Sequence, residues 1–213
     1  MIASATRKRP GLVSAGLALL LAACMLAACS KRTAQLPVLG PEDVVIAFGD
    51  SITFGSGAGE AQSYPAVLEG LIGRKVVRSG VPGEVSAAGL ARLPSVLEEH
   101  RPQLLILCHG GNDLLRNIGK KQAADNIRAM VRLAMDKGLG VLLVAVPEPG
   151  LFPSPPDFYK EIAAEFGLPY EGEALKEILG DKSLKSDLIH PNAQGYARLA
   201  EALAGVLKKS GAI

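Results

Sequence analysis

Continuous apolar runs alternate with helix-like segments along the chain, and this alternation restricts the possible folds more than any other feature. Apolar runs of strand length, bounded by turn residues, indicate buried strands. We predict five of them, over residues 44–48, 76–78, 104–108, 140–146 and 168–170. Segments with the periodicity of a helix lie between or after these strands, over residues 64–72, 86–99, 120–137, 157–166 and 192–208.

Uninterrupted apolar strands that are separated by helices are typical of a parallel sheet covered on both faces. The predicted fold class is therefore α/β, a three-layer α/β/α sandwich around a five-stranded parallel sheet. A flavodoxin-like strand order of 2-1-3-4-5 accommodates the right-handed crossovers that such chains make. The 213 residues suffice for one domain of this kind. Pro94 is expected to interrupt the second helix.

The N-terminal segment has the organisation of an export signal. A basic head, Arg7-Lys8-Arg9, precedes an apolar stretch over residues 11–21, and small residues then lead to cysteine. The sequence Leu26-Ala27-Ala28-Cys29 resembles a bacterial lipobox, in which cleavage before the cysteine leaves its thiol to carry diacylglycerol. We therefore expect a signal peptide over 1–28, lipidation of Cys29, a tether over 29–42 and a folded domain over 43–213.

Two alternatives to this N-terminal assignment stay open. Cys24 follows a similar run of small residues, although Cys29 is favoured because a polar segment begins directly after it, at Ser30. Residues 11–28 also fit a transmembrane helix at the lower limit of length for a span. In each case a membrane holds the domain outside the cytoplasm, on the periplasmic side. The absence of aspartate after Cys29 favours the outer membrane.

A serine follows the first predicted strand, in the sequence Gly49-Asp50-Ser51-Ile52-Thr53. Open α/β sheets carry their binding and catalytic residues at the carboxyl ends of their strands. A hydroxyl at this position is a candidate nucleophile, provided that the fold brings a base to it. In isolation, Ser51 is more typical of a turn or of a helix N-cap.

The far end of the chain supplies a candidate base. His190 precedes Pro191, which favours an extended backbone at the histidine and can open the helix that follows. Asp187 lies three residues before His190. Its carboxylate can accept a hydrogen bond from Nδ1 and stabilise the imidazolium formed during proton transfer. The alternative is that His190 caps its helix and that Asp187 is solvated.

Two further loops carry candidate donors for an oxyanion. Gly110-Gly111-Asn112-Asp113 follows the third strand, and the Asn112 amide can donate to an oxygen that becomes negative in a tetrahedral intermediate. Gly83 lies in the loop after the second strand and exposes its N–H, and the N–H of Ser51 is a third candidate donor. Asp113 is expected to brace its loop. His109 is expected to be structural, because it lies one residue past a buried strand.

The blocks GDSIT, GVPGE, GGND and DLIH, taken in this order, resemble the consensus blocks of the SGNH hydrolases, also called GDSL-like lipases and esterases. The resemblance is greatest to the branch of thioesterase I, lysophospholipase and arylesterase. It implies Ser51 as nucleophile, His190 as base and Asp187 as the residue that orients the base. It also implies an oxyanion hole formed by Ser51, Gly83 and Asn112. Val85 departs from the pattern, because related enzymes often have threonine there.

The expected function is hydrolysis of a carboxylic ester or an acyl thioester, of the arylesterase, lysophospholipase or acyl-CoA thioesterase type, through a Ser-His-Asp triad and without a cofactor. Two alternatives remain. One is a carbohydrate O-acetyl esterase that uses the same residues, and the other is a membrane-anchored protein that binds acyl or glycan groups without turnover. The expected partners are a small-molecule substrate and the membrane that holds the lipid anchor.

Other classes of site find little support in the sequence. The glycines at 55, 57 and 59 begin too far after the first strand for a dinucleotide-binding turn. No P-loop, H-E-x-x-H motif or cysteine–histidine cluster is present, so no metal is expected. The net charge of +2 gives no indication of nucleic-acid binding. Cys108 lies in an apolar run and is expected to be a small core residue.

A proline-rich segment over residues 147–156 follows the fourth predicted strand. It carries the apolar pair Leu151 and Phe152, and its prolines restrict the backbone. We predict that Leu151 and Phe152 line a pocket for the acyl group. The alternative is a rigid surface loop.

Overall fold

A computed structural model of the protein describes residues 34–150 and 152–213. Five parallel strands in these residues form one sheet in the order β2-β1-β3-β4-β5. The strands are β1 (Val44–Gly49), β2 (Lys75–Gly80), β3 (Leu104–Cys108), β4 (Gly140–Val144) and β5 (Tyr170–Glu171). The predicted α/β class and flavodoxin-like order are confirmed. Cys24, Cys29 and Leu151, which carry sequence predictions, lie outside the described residues.

The part of the chain that the structure describes contains eight α-helices. They are α1 (Ser51–Phe54), α2 (Tyr64–Ile72), α3 (Ser86–His100), α4 (Gly111–Leu115), α5 (Lys120–Asp136), α6 (Phe158–Phe166), α7 (Ala174–Gly180) and α8 (Ala193–Lys209). The five predicted helices correspond to α2, α3, α5, α6 and α8. The sequence does not predict α1, α4 and α7, because helices of this length are too short to show a periodicity.

Helix α3 continues through Pro94, so the predicted interruption is wrong. Leu93, Val96 and Leu97 are buried on this helix, on both sides of the proline. Their burial in the core holds the segments before and after Pro94 in place, which offsets the backbone hydrogen bond that the proline ring removes.

The sheet is covered on both faces. The chain leaves β1 through α2 to reach β2 on one side, and then crosses back over β1 through α3 to reach β3. Right-handed crossovers in opposite directions place α2 and α3 on opposite faces. Helix α8 packs against α2, and α5 packs against α3 and α6. The three central strands β1, β3 and β4 are mostly buried, and every residue of β3 is fully inaccessible to solvent, whereas the edge strands β2 and β5 are mostly half-buried.

The described residues ahead of β1, which begin at 34, pack as part of the folded domain. Leu36 and Leu39, which the sequence analysis assigns to the tether, are buried in the same hydrophobic core as the sheet. Their N–H groups donate to the carbonyl oxygens of Ser210 and Ala212 at 2.9 and 2.8 Å. None of the helices in residues 34–150 and 152–213 is long and apolar enough to cross a membrane.

Candidate active site

Ser51 is the first residue of α1, at the carboxyl end of the buried strand β1. Asp50 is the N-cap of this helix, and its Oδ1 accepts a hydrogen bond from the Ile52 N–H at 3.1 Å. Gly49 has to lack a side chain, because a Cβ there would overlap the Cys108 carbonyl oxygen and the Thr53 hydroxyl. The tight exit from β1 therefore sets the position of the Ser51 hydroxyl.

His190 lies in a short loop that an antiparallel bridge between Lys185 and Pro191 closes at its base. Asn192 caps α8 by accepting a hydrogen bond from the Gly195 N–H at 3.0 Å. The imidazole Nε2 lies 2.9 Å from Ser51 Oγ, although 139 positions of sequence separate the two residues. The structure thus brings the predicted base to the predicted nucleophile.

The second ring nitrogen of His190 is held by Asp187, with 2.7 Å between Nδ1 and Oδ2. The other carboxylate oxygen of Asp187 accepts hydrogen bonds from the N–H groups of Ile189 and His190, each at 2.8 Å. Burial raises the pKa of Asp187, but these hydrogen bonds outweigh burial, and the pKa lies below its ordinary value. The carboxylate is therefore ionised and fixed, as an orienting partner of a base needs to be.

The Asn112 side chain lies between two acceptors. Its Nδ2 donates to the Glu84 carbonyl oxygen at 3.0 Å and to Asp50 Oδ2 at 3.2 Å. Burial raises the pKa of the Asp50 carboxyl. Gly83, the other predicted donor loop residue, adopts a positive φ of 75°, and its carbonyl oxygen accepts from Arg116 Nη2 at 2.8 Å.

His109 and Asp113, for which the sequence predicts structural roles, make hydrogen bonds within their own loops and to α3. His109 is fully buried, and its Nδ1 accepts a hydrogen bond from the Gly110 N–H at 2.9 Å. Asp113 accepts from the Ser86 N–H at 2.7 Å and from the Ser86 hydroxyl at 2.6 Å. Asp113 thereby caps the N-terminus of α3, where the N-cap residue Val85 has no side-chain acceptor to offer.

A buried ion-pair network that the sequence analysis does not identify lies beside the loops that carry Gly83 and Asn112. The Glu84 carboxylate pairs with the Arg92 guanidinium and approaches His109 Nε2 at 3.2 Å. Arg92 also stacks over the Phe48 ring, 4.2 Å from its centroid. Only spatial proximity distinguishes these residues, since charged residues on a helix and in a loop are ordinarily solvated. No local sequence pattern therefore predicts this network.

A pocket opens beside Ser51 with an empty volume of about 480 Å³, part of it open to solvent. Its apolar lining comes from helices α1, α4 and α7, from the proline-rich loop after β4 and from the His190 loop: Ile52, Leu115, Val146, Pro147, Pro149, Pro153, Leu179, Leu188 and Ile189. Asn112 and Asp50 contribute polar atoms to the wall. The proline-rich loop therefore lines this pocket, and binding of an acyl group there stays a prediction.

The prediction that Phe152 lines this pocket is wrong. Its side chain is 87% exposed, and the pocket-lining residues of the described part of this loop are 147–150 and Pro153. The Glu148 N–H donates to the Ser154 carbonyl oxygen at 3.0 Å and closes the loop into a turn. Phe152 lies near the tip of this turn, where its side chain faces solvent.

Comparison with known proteins gives consistent matches. The model of the GDSL-like lipase/acylhydrolase family matches residues 47–198. Esterase TesA of Pseudomonas aeruginosa is 29% identical over 206 residues, which cover 90% of this chain and 98% of TesA. Thioesterase 1/protease 1/lysophospholipase L1 of Escherichia coli K12 is 28% identical over 174 residues, covering 78% and 84% of the two chains.

Solved structures are similar as well. The crystal structure of TesA superposes with a TM-score of 0.71 at 29% identity, covering 79% of this chain and 99% of that one. AlinE4, described as an SGNH-hydrolase family esterase, superposes with a TM-score of 0.60 at 27% identity, covering 81% and 98%. Among the residues described here, no group of three or more histidine, cysteine or acidic side chains is arranged to hold a metal ion.

Proposed function

Because this chain belongs to the GDSL-like lipase/acylhydrolase family and is an ester-bond hydrolase, we propose that it cleaves carboxylic esters or acyl thioesters through a triad of Ser51, His190 and Asp187. The observation that carries this proposal is the unbroken chain of contacts from Asp187 Oδ2 to His190 Nδ1 at 2.7 Å and from His190 Nε2 to Ser51 Oγ at 2.9 Å. These distances are those of a nucleophile paired with an oriented base.

The first half of the reaction acylates Ser51. His190 Nε2 accepts the hydroxyl proton while Ser51 Oγ forms a bond to the carbonyl carbon, and the carbonyl electrons move onto oxygen. Asp187 stabilises the imidazolium through its hydrogen bond to Nδ1–H. His190 then donates the proton to the leaving alcohol or thiol as the tetrahedral intermediate collapses.

The negative oxygen of the intermediate is stabilised by the N–H groups of Ser51 and Gly83 and by the Asn112 amide. Both hydrogens of Asn112 Nδ2 already face protein acceptors, the Glu84 carbonyl and the Asp50 carboxyl, at 3.0 and 3.2 Å. The oxyanion therefore shares one of these hydrogens in a three-centre bond. An oxyanion donor of this kind contributes about 10² to 10³ in turnover.

Water completes the cycle. His190 removes a proton from a water molecule, which attacks the acyl carbon, and Ser51 leaves with the proton that His190 returns. The acid is released and the hydroxyl is regenerated. The pocket beside Ser51 has a mostly apolar lining, which supports an acyl chain rather than a sugar as the group bound there.

Labelling by a fluorophosphonate probe tests this proposal. The probe is expected to label the wild type and to leave Ser51→Ala unlabelled, because only an activated serine reacts. Ser95→Ala, which changes a serine on α3 whose hydroxyl donates to the Arg92 carbonyl oxygen, is the matched control. Hydrolysis rates with p-nitrophenyl acetate, longer esters, acyl-CoA and lysophospholipid then rank the substrates. Equal labelling of Ser51→Ala would contradict the proposal.

We also propose that the chain is a lipoprotein, with a signal peptide over 1–28, lipidated Cys29 and attachment to the outer membrane on its periplasmic side. Only the sequence pattern supports this layout. Cys29→Ser is expected to abolish incorporation of radiolabelled palmitate and to move the protein from the membrane to the soluble fraction, whereas Cys24→Ser is expected to retain both. Labelling lost in Cys24→Ser alone would assign the anchor to Cys24 instead.

A further inference from the structure

The two proposed oxyanion donors outside Ser51 come from strands that are not neighbours. Gly83 follows β2 and Asn112 follows β3, and β1 lies between these strands in the sheet. The hydrogen bonds of the sheet align β2 and β3 each with β1, but loops beyond the strand ends have no such alignment. A direct link between the two loops is therefore needed to fix the distance between their donors.

Glu84 makes this link through its backbone and its side chain. It is bonded covalently to Gly83, and its carbonyl oxygen accepts from Asn112 Nδ2 at 3.0 Å. Its carboxylate lies 3.2 Å from Nε2 of His109, the residue directly after β3. One residue of the β2 loop thus contacts the β3 loop at two places.

Arg92 holds the Glu84 carboxylate from the other side. Its Nε and Nη2 donate to Oε1 and Oε2 at 2.9 and 2.7 Å, in the two-pronged geometry of a guanidinium and a carboxylate. Its Nη1 donates to the Ser79 hydroxyl on β2 at 2.8 Å. The Glu84 side chain, only 7% exposed, is therefore tied to strand β2 as well as to the β3 loop.

The His109 side of this network is also fixed. His109 Nδ1 accepts the Gly110 N–H, so the ring proton of the neutral imidazole lies on Nε2, which faces Glu84. Gly89 on α3 has to lack a side chain, because a Cβ there would overlap the imidazole. The imidazole is therefore held by a hydrogen bond at Nδ1 and packs directly against Gly89.

We propose that Glu84 is a positioning residue for the oxyanion hole, which sets the spacing between the Gly83 N–H and the Asn112 amide across the end of β1. This role rests on the proposed function, since it requires that both groups bind the oxyanion. Burial raises the pKa of Glu84, but hydrogen bonds from Arg92 and His109 outweigh it and lower the pKa to about 2. The Glu84 carboxylate therefore stays ionised at neutral pH.

A double-mutant cycle between Glu84 and Asn112 tests the role, with p-nitrophenyl acetate hydrolysis and fluorophosphonate labelling rates as readouts. Glu84→Gln keeps the shape and removes the charge, and is expected to lower kcat about tenfold or more while KM changes by less than about threefold. In the Asn112→Ala background the same change is expected to lower the rates by less than about threefold, because the donor that Glu84 positions is gone. Glu165→Gln, which breaks an exposed pair with Arg128, is the control.

Each outcome decides the role. If Glu84→Gln lowered kcat equally in the wild-type and Asn112→Ala backgrounds, the two residues would act independently and the positioning role would be overturned. A Glu84→Gln variant with the kcat of an active wild type would also overturn it. Should Glu84→Gln not fold, Arg92→Lys keeps the charge but loses the two-pronged contact, and the same coupling to Asn112 is expected. If the wild type showed no hydrolysis, or only hydrolysis that persists in Ser51→Ala, the proposed function would be overturned and the positioning role with it.

Discussion

At the scale of the residue, the pKa values of three carboxylates near the proposed active site differ because their surroundings differ. Asp187 accepts hydrogen bonds from an imidazole and two backbone N–H groups, and its pKa is lowered. Glu84 accepts from Arg92 and His109, and its pKa is lowered to about 2. Asp50 is fully buried and its pKa is raised. The three carboxylates thus have separate roles. Asp187 is proposed to orient His190, Glu84 is proposed to position the Gly83 and Asn112 loops, and Asp50 caps α1.

The stability of the protein is expected to depend on Glu84 in acid. A group whose pKa is depressed on folding stabilises the protein above its ordinary pKa, 4.5 for Glu84, and loses that contribution as the pH falls toward about 2. The difference in free energy of unfolding between wild type and Glu84→Gln is therefore expected to shrink by about 1–2 kcal/mol between pH 6 and pH 3. Urea unfolding at a series of pH values measures it.

Glu165→Gln provides the comparison for the acid experiment, because Glu165 is half-exposed in its ion pair with Arg128. Measured over the same pH range, it shows how much change a glutamate-to-glutamine substitution in an exposed ion pair causes by itself. If the difference in free energy of unfolding between wild type and Glu84→Gln did not change with pH, the depressed pKa of Glu84 would be contradicted.

At the scale of the element, the position of His190 depends on a loop that neighbouring elements hold. The Ser186 N–H donates to the His190 carbonyl oxygen at 2.9 Å. Gly57, in the loop after α1, packs so closely that a Cβ there would overlap the Ser186 hydroxyl and lie 2.7 Å from the Pro191 carbonyl oxygen. Tyr196 on α8 donates to the Ser56 carbonyl oxygen at 2.8 Å. The serine and histidine loops are therefore positioned against each other.

Gly57→Ala is expected to displace the His190 loop and to lower kcat about tenfold or more, since small misplacements of catalytic groups are costly. Gly73→Ala is the matched control, because Gly73 also has a positive φ but no atom near its Cβ position. It is expected to lower the free energy of unfolding by about 1 kcal/mol without a comparable loss of kcat. Equal kcat in the two variants would contradict the contact between the loops.

At the scale of the whole molecule, the segment before β1 and the end of α8 are joined. Leu36 and Leu39 are buried, and their N–H groups donate to Ser210 and Ala212. The Leu39 carbonyl oxygen also accepts from Arg74 Nη2 at 3.2 Å. The folded unit therefore includes residues ahead of 43, where the sequence analysis begins the domain.

Two truncated variants test where the folded unit begins. A chain that starts at Ala34 is expected to unfold in urea with the stability of the full domain. A chain that starts at Pro41 loses Leu36 and Leu39 and is expected to be less stable by about 3–6 kcal/mol, from about 1.5–3 kcal/mol for each buried leucine. Equal urea midpoints for the two would contradict the packing of this segment.

Much of the fold follows from local sequence patterns. The apolar runs at β1 and β3 and the periodicity of α2 and α8 depend on neighbours a few residues away, so they can be read without a structure. The strand order 2-1-3-4-5 is compatible with right-handed crossovers, although handedness alone does not select it. The short helix α1 lacks enough residues for a period, and the continuity of α3 through Pro94 depends on burial that no local pattern reports.

The sequence by itself determined the α/β sandwich and the four blocks that carry Ser51, Gly83, Asn112 and the Asp187–His190 pair. Only the tertiary structure decided that Ser51 and His190 meet at 2.9 Å, that Glu84 joins two loops, that Phe152 faces solvent, and that Leu36 and Leu39 enter the core. The physical reason is the distance along the chain over which each kind of interaction acts. Backbone propensity and hydrophobic periodicity act within one element, whereas ion pairs, pocket walls and core boundaries depend on which distant elements the packed sheet brings together.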